Sequence, residues 1–147
     1  MRITIVASGR LKSSSTLSRL ISDYLKPLSW KVTTKEIDTK SHEKNYEKTF
    51  LDAIPKSTMI IALDAHGRNL SSVQLAHLIE HERASGQSHF SFLIGGADGL
   101  PNQVKKVAHH TISFGKNTWP HMLVRLMLAE QLYRAQQIMS GHPYHRE

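Results

Sequence analysis

The sequence predicts an α/β fold built on a mostly parallel sheet, and three observations carry that expectation. Short apolar segments of strand length alternate with segments of helical period along all 147 residues. The strongest of them, "TMIIALD" (Thr58–Asp64), shows no polar alternation, which marks a strand covered on both faces. No repeat, low-complexity tract or linker divides the chain, so residues 1–147 are expected to form a single domain.

Each element has its own local reason. "RITIVASG" (Arg2–Gly9) reads as a buried strand running into a glycine turn. "SSSTLSRLISDYLK" puts Leu17, Leu20, Ile21, Tyr24 and Leu25 on one stripe of a helix, with serines available as caps. "WKVTTKEID" reads as a strand, whereas the polar "TKSHEKNYEKTF" fits either a linker or a surface helix. After the Thr58–Asp64 strand, "AHGRNL" reads as a loop. "SSVQLAHLIEHERASG" is a helix with Ser71 and Gln74 at capping-box spacing and Gly86 at its stop. "HFSFLIGG" is a strand ending in glycines, and "LPNQVKKVAHH" a short helix with Pro101 in its first turn. "TISFG" is a last strand, "NTWPH" a loop, and "MLVRLMLAEQLYRAQQIM" a long helix stopped at Gly141.

With no cysteine, disulfide frameworks, Cys nucleophiles and Cys-ligated zinc are excluded. The first apolar run, "ITIVA", is too short for a signal peptide, and no segment approaches a membrane span, so a cytoplasmic protein is expected. The net charge of +7 lies mostly in residues 1–57, with 11 basic against 6 acidic side chains. Such a surface suits a polyanion, nucleic acid first, or serves solubility alone.

Four constellations bear on chemistry. "HLIEH" (His77–His81) matches the H-x-x-E-H pattern of inverted zincin proteases. Helical geometry turns His77 and His81 nearly opposite the buried Leu75, Leu78 and Ile79, so the pair belongs to a solvated face and no metal is expected. "IGGADG" (Ile94–Gly99) joins a strand to a helix, where backbone amides meet ligands at the carboxyl end of a parallel sheet. It is neither a dinucleotide fingerprint nor a P-loop. "NTWPHMLVR" gathers Trp119, Pro120, His121 and Arg125 at a loop-to-helix junction. From Met122 to Ala129 the long helix leaves only Arg125 polar, which predicts burial on two sides, the second against a partner subunit.

"FLIGGADGL", "FGKNTWPHMLVRLMLAEQLYRAQQIMSG" and the terminal "HPYHRE" resemble, in order and spacing, the ribosomal RNA large subunit methyltransferase H family. "ITIVASGRLKSS" and "ALDAHGRNLSS" extend the resemblance over the whole chain, least closely at residues 39–57. The family belongs to the SPOUT superfamily. The resemblance implies an α/β domain with a C-terminal trefoil knot, a homodimer, and S-adenosyl-L-methionine as cofactor. It also implies methylation of N3 of a pseudouridine in the helix 69 loop of 23S rRNA, on the assembled 70S ribosome. Carried over by motif, cofactor contacts fall on Leu63, Gly96 and the loop Gly115, Lys116, Asn117, Thr118, Trp119 and Pro120. Trp119 stands where a smaller apolar residue or Phe is commoner.

The chemistry is attack of a ring nitrogen on a sulfonium methyl, and the N3 proton must leave. Arg125 or Arg146 would favour the deprotonated base, and His121, His145 or water would take the proton. Tyr144 would stack on the target base. The sequence does not choose among these catalytic candidates. A SPOUT enzyme acting on tRNA and a non-catalytic rRNA-binding assembly factor remain as alternatives.

Overall fold

The structure is a computed structural model that describes residues 1–38 and 43–146. Its elements follow one another as β1 (Arg2–Ser8), α1 (Thr16–Leu25), β2 (Lys31–Ile37), α2 (Glu43–Ala53), β3 (Met59–Asn69), α3 (Ser72–Ala84), β4 (His89–Ile94), α4 (Asn102–Lys106), β5 (His110–Ser113) and α5 (His121–Met139). The five strands form one sheet in the order β2-β1-β4-β3-β5, with every neighbouring pair parallel.

Period-two alternation splits the core between the two faces of this sheet. On one side Ile3, Ile5 and Ala7 of β1 join Phe90, Phe92 and Ile94 of β4 beneath α3 and α5. On the other, Val6, Ala62 and Leu93 pack with Phe50 of α2 and Val104 of α4. Covering both faces explains why β1 and β4 carry apolar residues with so little polar interruption.

The expected caps are present. Ser15 accepts from the Ser18 amide, and Ser71 and Gln74 close a reciprocal capping box. Gly86 and Gly141 sit at positive φ, +102° and +71°, just past their helices. Pro101 and Pro120 stand as the N-caps of α4 and α5, so α5 begins at His121. The ambiguous polar stretch is helical from residue 43; residues 39–42 lie outside the described residues.

One expectation is corrected. "AHGRNL" is not a loop leaving the sheet, because β3 continues through it to Asn69. Leu63 and Arg68 both pair with Ile112 of β5, so residues 64–67 bulge out and the strand then rejoins the ladder. Gly67 is required there: a Cβ would lie 2.7 to 2.8 Å from the Ile112 backbone. The bulge and the strand ends β4 and β5 all open at the same, carboxyl edge of the sheet.

Candidate active site

The carboxyl ends of β3, β4 and β5 enclose a cavity of about 600 Å³, within the size range of small-molecule sites. Leu63 of β3, Gly96 of the glycine turn, and Gly115, Asn117, Thr118, Trp119 and Pro120 of the β5–α5 loop all line it. His121, the first residue of α5, lines it too. Lys116 is exposed and is absent from this lining, so its side chain is the one predicted contact that turns outward.

Local chemistry shapes each wall. In the glycine turn the Gly99 amide donates to the Gly96 carbonyl at 3.0 Å. A Cβ on Gly95 would fall 2.4 Å from the Gly99 carbonyl carbon, so the turn closes only without one. At the β5–α5 loop the buried Ser113 hydroxyl donates to the Gly115 carbonyl at 2.6 Å and accepts from the Gly115 amide at 3.1 Å. Gly115 stands at φ +109° with open space where a side chain would be. The Trp119 indole N–H donates back to the Phe114 carbonyl at 3.3 Å, folding the loop on itself while the ring stays 41% exposed. The unusual Trp119 therefore supplies a loop-closing donor that a Phe would lack.

Sequence reasoning missed Asp64 and Lys105, which line the same cavity as an ion pair at 2.9 Å. Asp64 also accepts from the His66 amide at 2.9 Å. Burial alone would raise the Asp64 carboxyl, but the hydrogen bonds from Lys105 and His66 and the Lys105 charge hold it below its ordinary value. The acidic residue that closes "TMIIALD" was the available signal, passed over because Asp64 was read only as the end of a buried strand.

The remaining predicted residues are not gathered at this cavity. Arg125 is 5% exposed and lies beneath the first turn of α5. Its guanidinium donates to Glu36 at 2.8 Å and to the carbonyls of Ser8 at 2.9 Å and Gly9 at 2.5 Å. The tail folds onto the second half of α5. Tyr144 donates to Glu130 at 3.1 Å, lies under the Arg134 guanidinium at 4.8 Å, and meets Tyr133 edge-on at 4.9 Å. Burial, then the Glu130 hydrogen bond, push the Tyr144 phenol upward. A guanidinium only donates, so in the 3.2 Å contact between Arg134 and His145 it is His145 Nδ1 that accepts. His145 Nε2 is buried without a partner among the described residues, and Arg146 is exposed. Glu130 and Arg134 lie nine and thirteen residues beyond His121, which at 1.5 Å per residue places the tail's anchors roughly 14 to 20 Å along the helix from the cavity.

His77, Glu80 and His81 are all exposed on α3, so the H-x-x-E-H pattern faces solvent. Among the described residues no group of three or more His, Cys, Asp or Glu side chains is placed to hold a metal.

A family model described as "Predicted SPOUT methyltransferase" matches residues 1–145. The chain belongs to the SPOUT methyltransferase family. It is 40% identical over 152 aligned residues to the ribosomal RNA large subunit methyltransferase H of Rhodospirillum centenum, and 41% identical over 152 to that of Paramagnetospirillum magneticum. Each alignment covers 99% of both chains. The fold is similar to that of a probable methyltransferase from Bordetella pertussis, with a TM-score of 0.60 at 11% identity over 90% of this chain and 95% of that one. A probable methylase family protein from Haemophilus influenzae has a TM-score of 0.58 at 10% identity, covering 99% and 70%.

The SPOUT cavity fits an adenosyl cofactor. Leu63, Ile94, Phe114 and Val124 give it apolar walls, and Gly96 and Gly115 expose backbone to it. Asp64 offers a fixed carboxylate, and Lys105 a counter-charge. Apolar walls with a few convergent polar groups are what a heteroaromatic ring joined to a ribose requires.

Proposed function

We propose that this chain is an S-adenosyl-L-methionine-dependent methyltransferase that methylates N3 of a pseudouridine in the helix 69 loop of 23S rRNA on the assembled ribosome. The observation that carries this reading is near-full-length identity of about 40% to large-subunit rRNA methyltransferases, joined to a cavity built by the residues the family's motifs name.

The walls from Leu63, Gly96 and the Gly115–Pro120 loop hold the cofactor, which supplies a sulfonium-activated methyl group when bound. His121 is the proton acceptor this arrangement favours. It lines the cavity, whereas the Nδ1 lone pair of His145 is held by Arg134. The His121 imidazole would take the N3 proton of the target base, leaving the ring nitrogen free to accept the methyl group that the bound cofactor would supply. Arg146 supplies positive charge that favours the deprotonated base, and Tyr144 stacks on the target base.

The tail's anchorage far along its own α5 supports a homodimer in which one protomer's tail meets the other's cavity. A second cavity of about 500 Å³ supports the same assembly, since Tyr24 of α1, Leu75 of α3 and Leu126 and Met127 of α5 give it an open apolar lining. Its rim carries Glu130, the residue that holds Tyr144. The trefoil knot and a cytoplasmic, ribosome-bound location belong to this same reading. Among the described residues no helix is long and apolar enough to cross a membrane.

Calorimetry on metal-stripped protein tests the cofactor assignment. Binding of S-adenosylmethionine or its demethylated product without added metal is expected; no heat at millimolar cofactor, or binding restored only by zinc, contradicts it.

A further inference from the structure

Arg125 joins three elements that lie far apart in sequence. It rises from α5, pairs with Glu36 at the end of β2, and caps the carbonyls of Ser8 and Gly9 where β1 ends. Glu36 in turn accepts from the Leu11 amide at 2.7 Å. Burial raises the Glu36 carboxyl, yet the hydrogen bonds from Arg125 and Leu11 and the charges of Arg125 and Arg10 leave it below its ordinary value. The carboxylate is thus held charged first by Arg125 and then by the loop it anchors.

That loop, residues 9–14, begins against the cavity. A Cβ on Gly9 would lie 3.1 Å from Met122 Cε and 3.3 Å from His121 Nε2, so its backbone packs on the histidine that lines the site. Gly9 stands at φ +83°, which turns the chain outward there. Beyond it Arg10, Lys12, Ser13 and Ser14 are exposed, and Arg19 follows on α1. No acidic residue occurs between Gly9 and Ser22. The charge of Arg10 reaches Glu36, which Arg125 already engages. A rigidly based loop with two exposed cations and exposed hydroxyls, beside the mouth of a cavity, has the chemistry of a phosphodiester-backbone reader.

We propose that residues 9–14 form an RNA-contacting lip of the methyl-transfer site. In it Arg10 and Lys12 grip the phosphates flanking the target base, and Arg125 acts as the positioning residue that fixes the lip to the cavity. The inference rests on the rRNA methyltransferase reading above. Arg125 then works through backbone placement and touches neither base nor cofactor. Only an arginine can do this, since three acceptors are served by one planar fork where a lysine offers a single point charge.

Methyl transfer from tritiated S-adenosylmethionine to undermethylated ribosomes, measured against ribosome and salt concentration, tests the lip. The double variant Arg10→Ala/Lys12→Ala is expected to raise the KM for ribosomes at least about tenfold, and to lower the slope of log affinity against log salt by about two. Cofactor affinity by calorimetry is expected to stay at the wild-type value. Arg125→Met is expected to raise KM in the same way, to add little when combined with the double variant, and to be only partly rescued by Arg125→Lys. Should Arg125→Met fail to fold, Glu36→Gln loosens the same anchor from the opposite side. Wild-type KM and salt slope in the double variant would overturn the lip while leaving the methyltransferase reading intact. A raised KM with an unchanged salt slope would also overturn it, placing the loop on ribosomal protein. Failure of the wild-type protein to methylate ribosomal RNA at all would instead remove the parent reading, and the lip with it.

Discussion

At the scale of single residues, the site depends on small backbone allowances and on buried polar atoms with fixed partners. Gly96 lines the cavity at ordinary φ, so Gly96→Val adds bulk to the binding space without forcing the backbone into a left-handed conformation. The variant is expected to fold, by circular dichroism, and to lose at least roughly tenfold in cofactor affinity by calorimetry. At the opposite end of the sheet, buried His89 Nε2 is 2.8 Å from the Thr4 hydroxyl. Burial, then the charges of Arg2 and Lys35, lower its pKa below 6.5. The unfolded chain therefore takes up a proton at this residue before the folded chain does, and stability declines as pH falls from about 6.5 through the lower folded value. His89→Gln keeps a polar partner for Thr4 and is expected to flatten that decline in urea melts compared at pH 7.5 and 5.5. Which residues line the cavity was legible from the motif order, and Leu63, Gly96 and the 115–120 loop converge on it apart from the Lys116 side chain. The place of Arg125 was not legible. Its partners lie 89 and 117 residues away in sequence, and no local spacing reports a contact that only sheet order creates.

At the scale of elements, α5 does two jobs along its length. Its first turn presents His121 to the cavity, and its second half carries the tail on Glu130, Tyr133 and Arg134. Removing His142–Glu147 deletes one cation–π contact, one edge-on aromatic contact and the side-chain hydrogen bonds of Tyr144 with Glu130 and His145 with Arg134, each about 0.5 to 1.5 kcal/mol. The fold should survive, with the cofactor still bound. Single-turnover methyl transfer to ribosomes is expected to fall about 100-fold, the scale of loss that follows a ~1 Å misplacement of reacting groups. The helix's apolar sequence is also resolved by the structure. Leu128, Ala129, Leu132 and Ala135 are buried within this chain, so the proposed subunit contact falls to the residues they leave open, such as Leu123, 41% exposed, and Met127. Met127→Glu is expected to yield monomer or aggregate in light scattering; a stable, fully active monomer would contradict the composite site. Strands and helices were legible because apolar period and capping residues agree element by element. The far half of β3 was not, because its bulge and the return to the ladder are written in Ala65, His66, Gly67 and Arg68, residues that resemble a turn until β5 is laid beside them.

At the scale of the whole molecule, the parallel sheet sends its carboxyl edge, the glycine turn and the start of α5 to one place. Two lowered carboxylates hold that edge together, Glu36 beneath the loop after β1 and Asp64 at the bulge. Each contributes stability that is present above its unfolded value, 4.5 and 3.8, and lost as pH falls through the lower folded one. Cofactor affinity should therefore decline on acidification together with stability, visible when calorimetry and melting are run on the same acid series. A net charge of +7 on a chain of 147 residues leaves little surface for reading RNA sequence alone, so affinity for ribosomes should fall steeply with salt. The account's central claim is transfer of a methyl group to one pseudouridine in assembled ribosomes. The most direct test incubates the protein and tritiated S-adenosylmethionine with bulk tRNA, free 23S rRNA or undermethylated 70S ribosomes, followed by nucleoside analysis of the labelled RNA. The account predicts label on ribosomes alone, recovered as N3-methylpseudouridine from the helix 69 loop; label on tRNA, on another nucleoside, or on no RNA would contradict it.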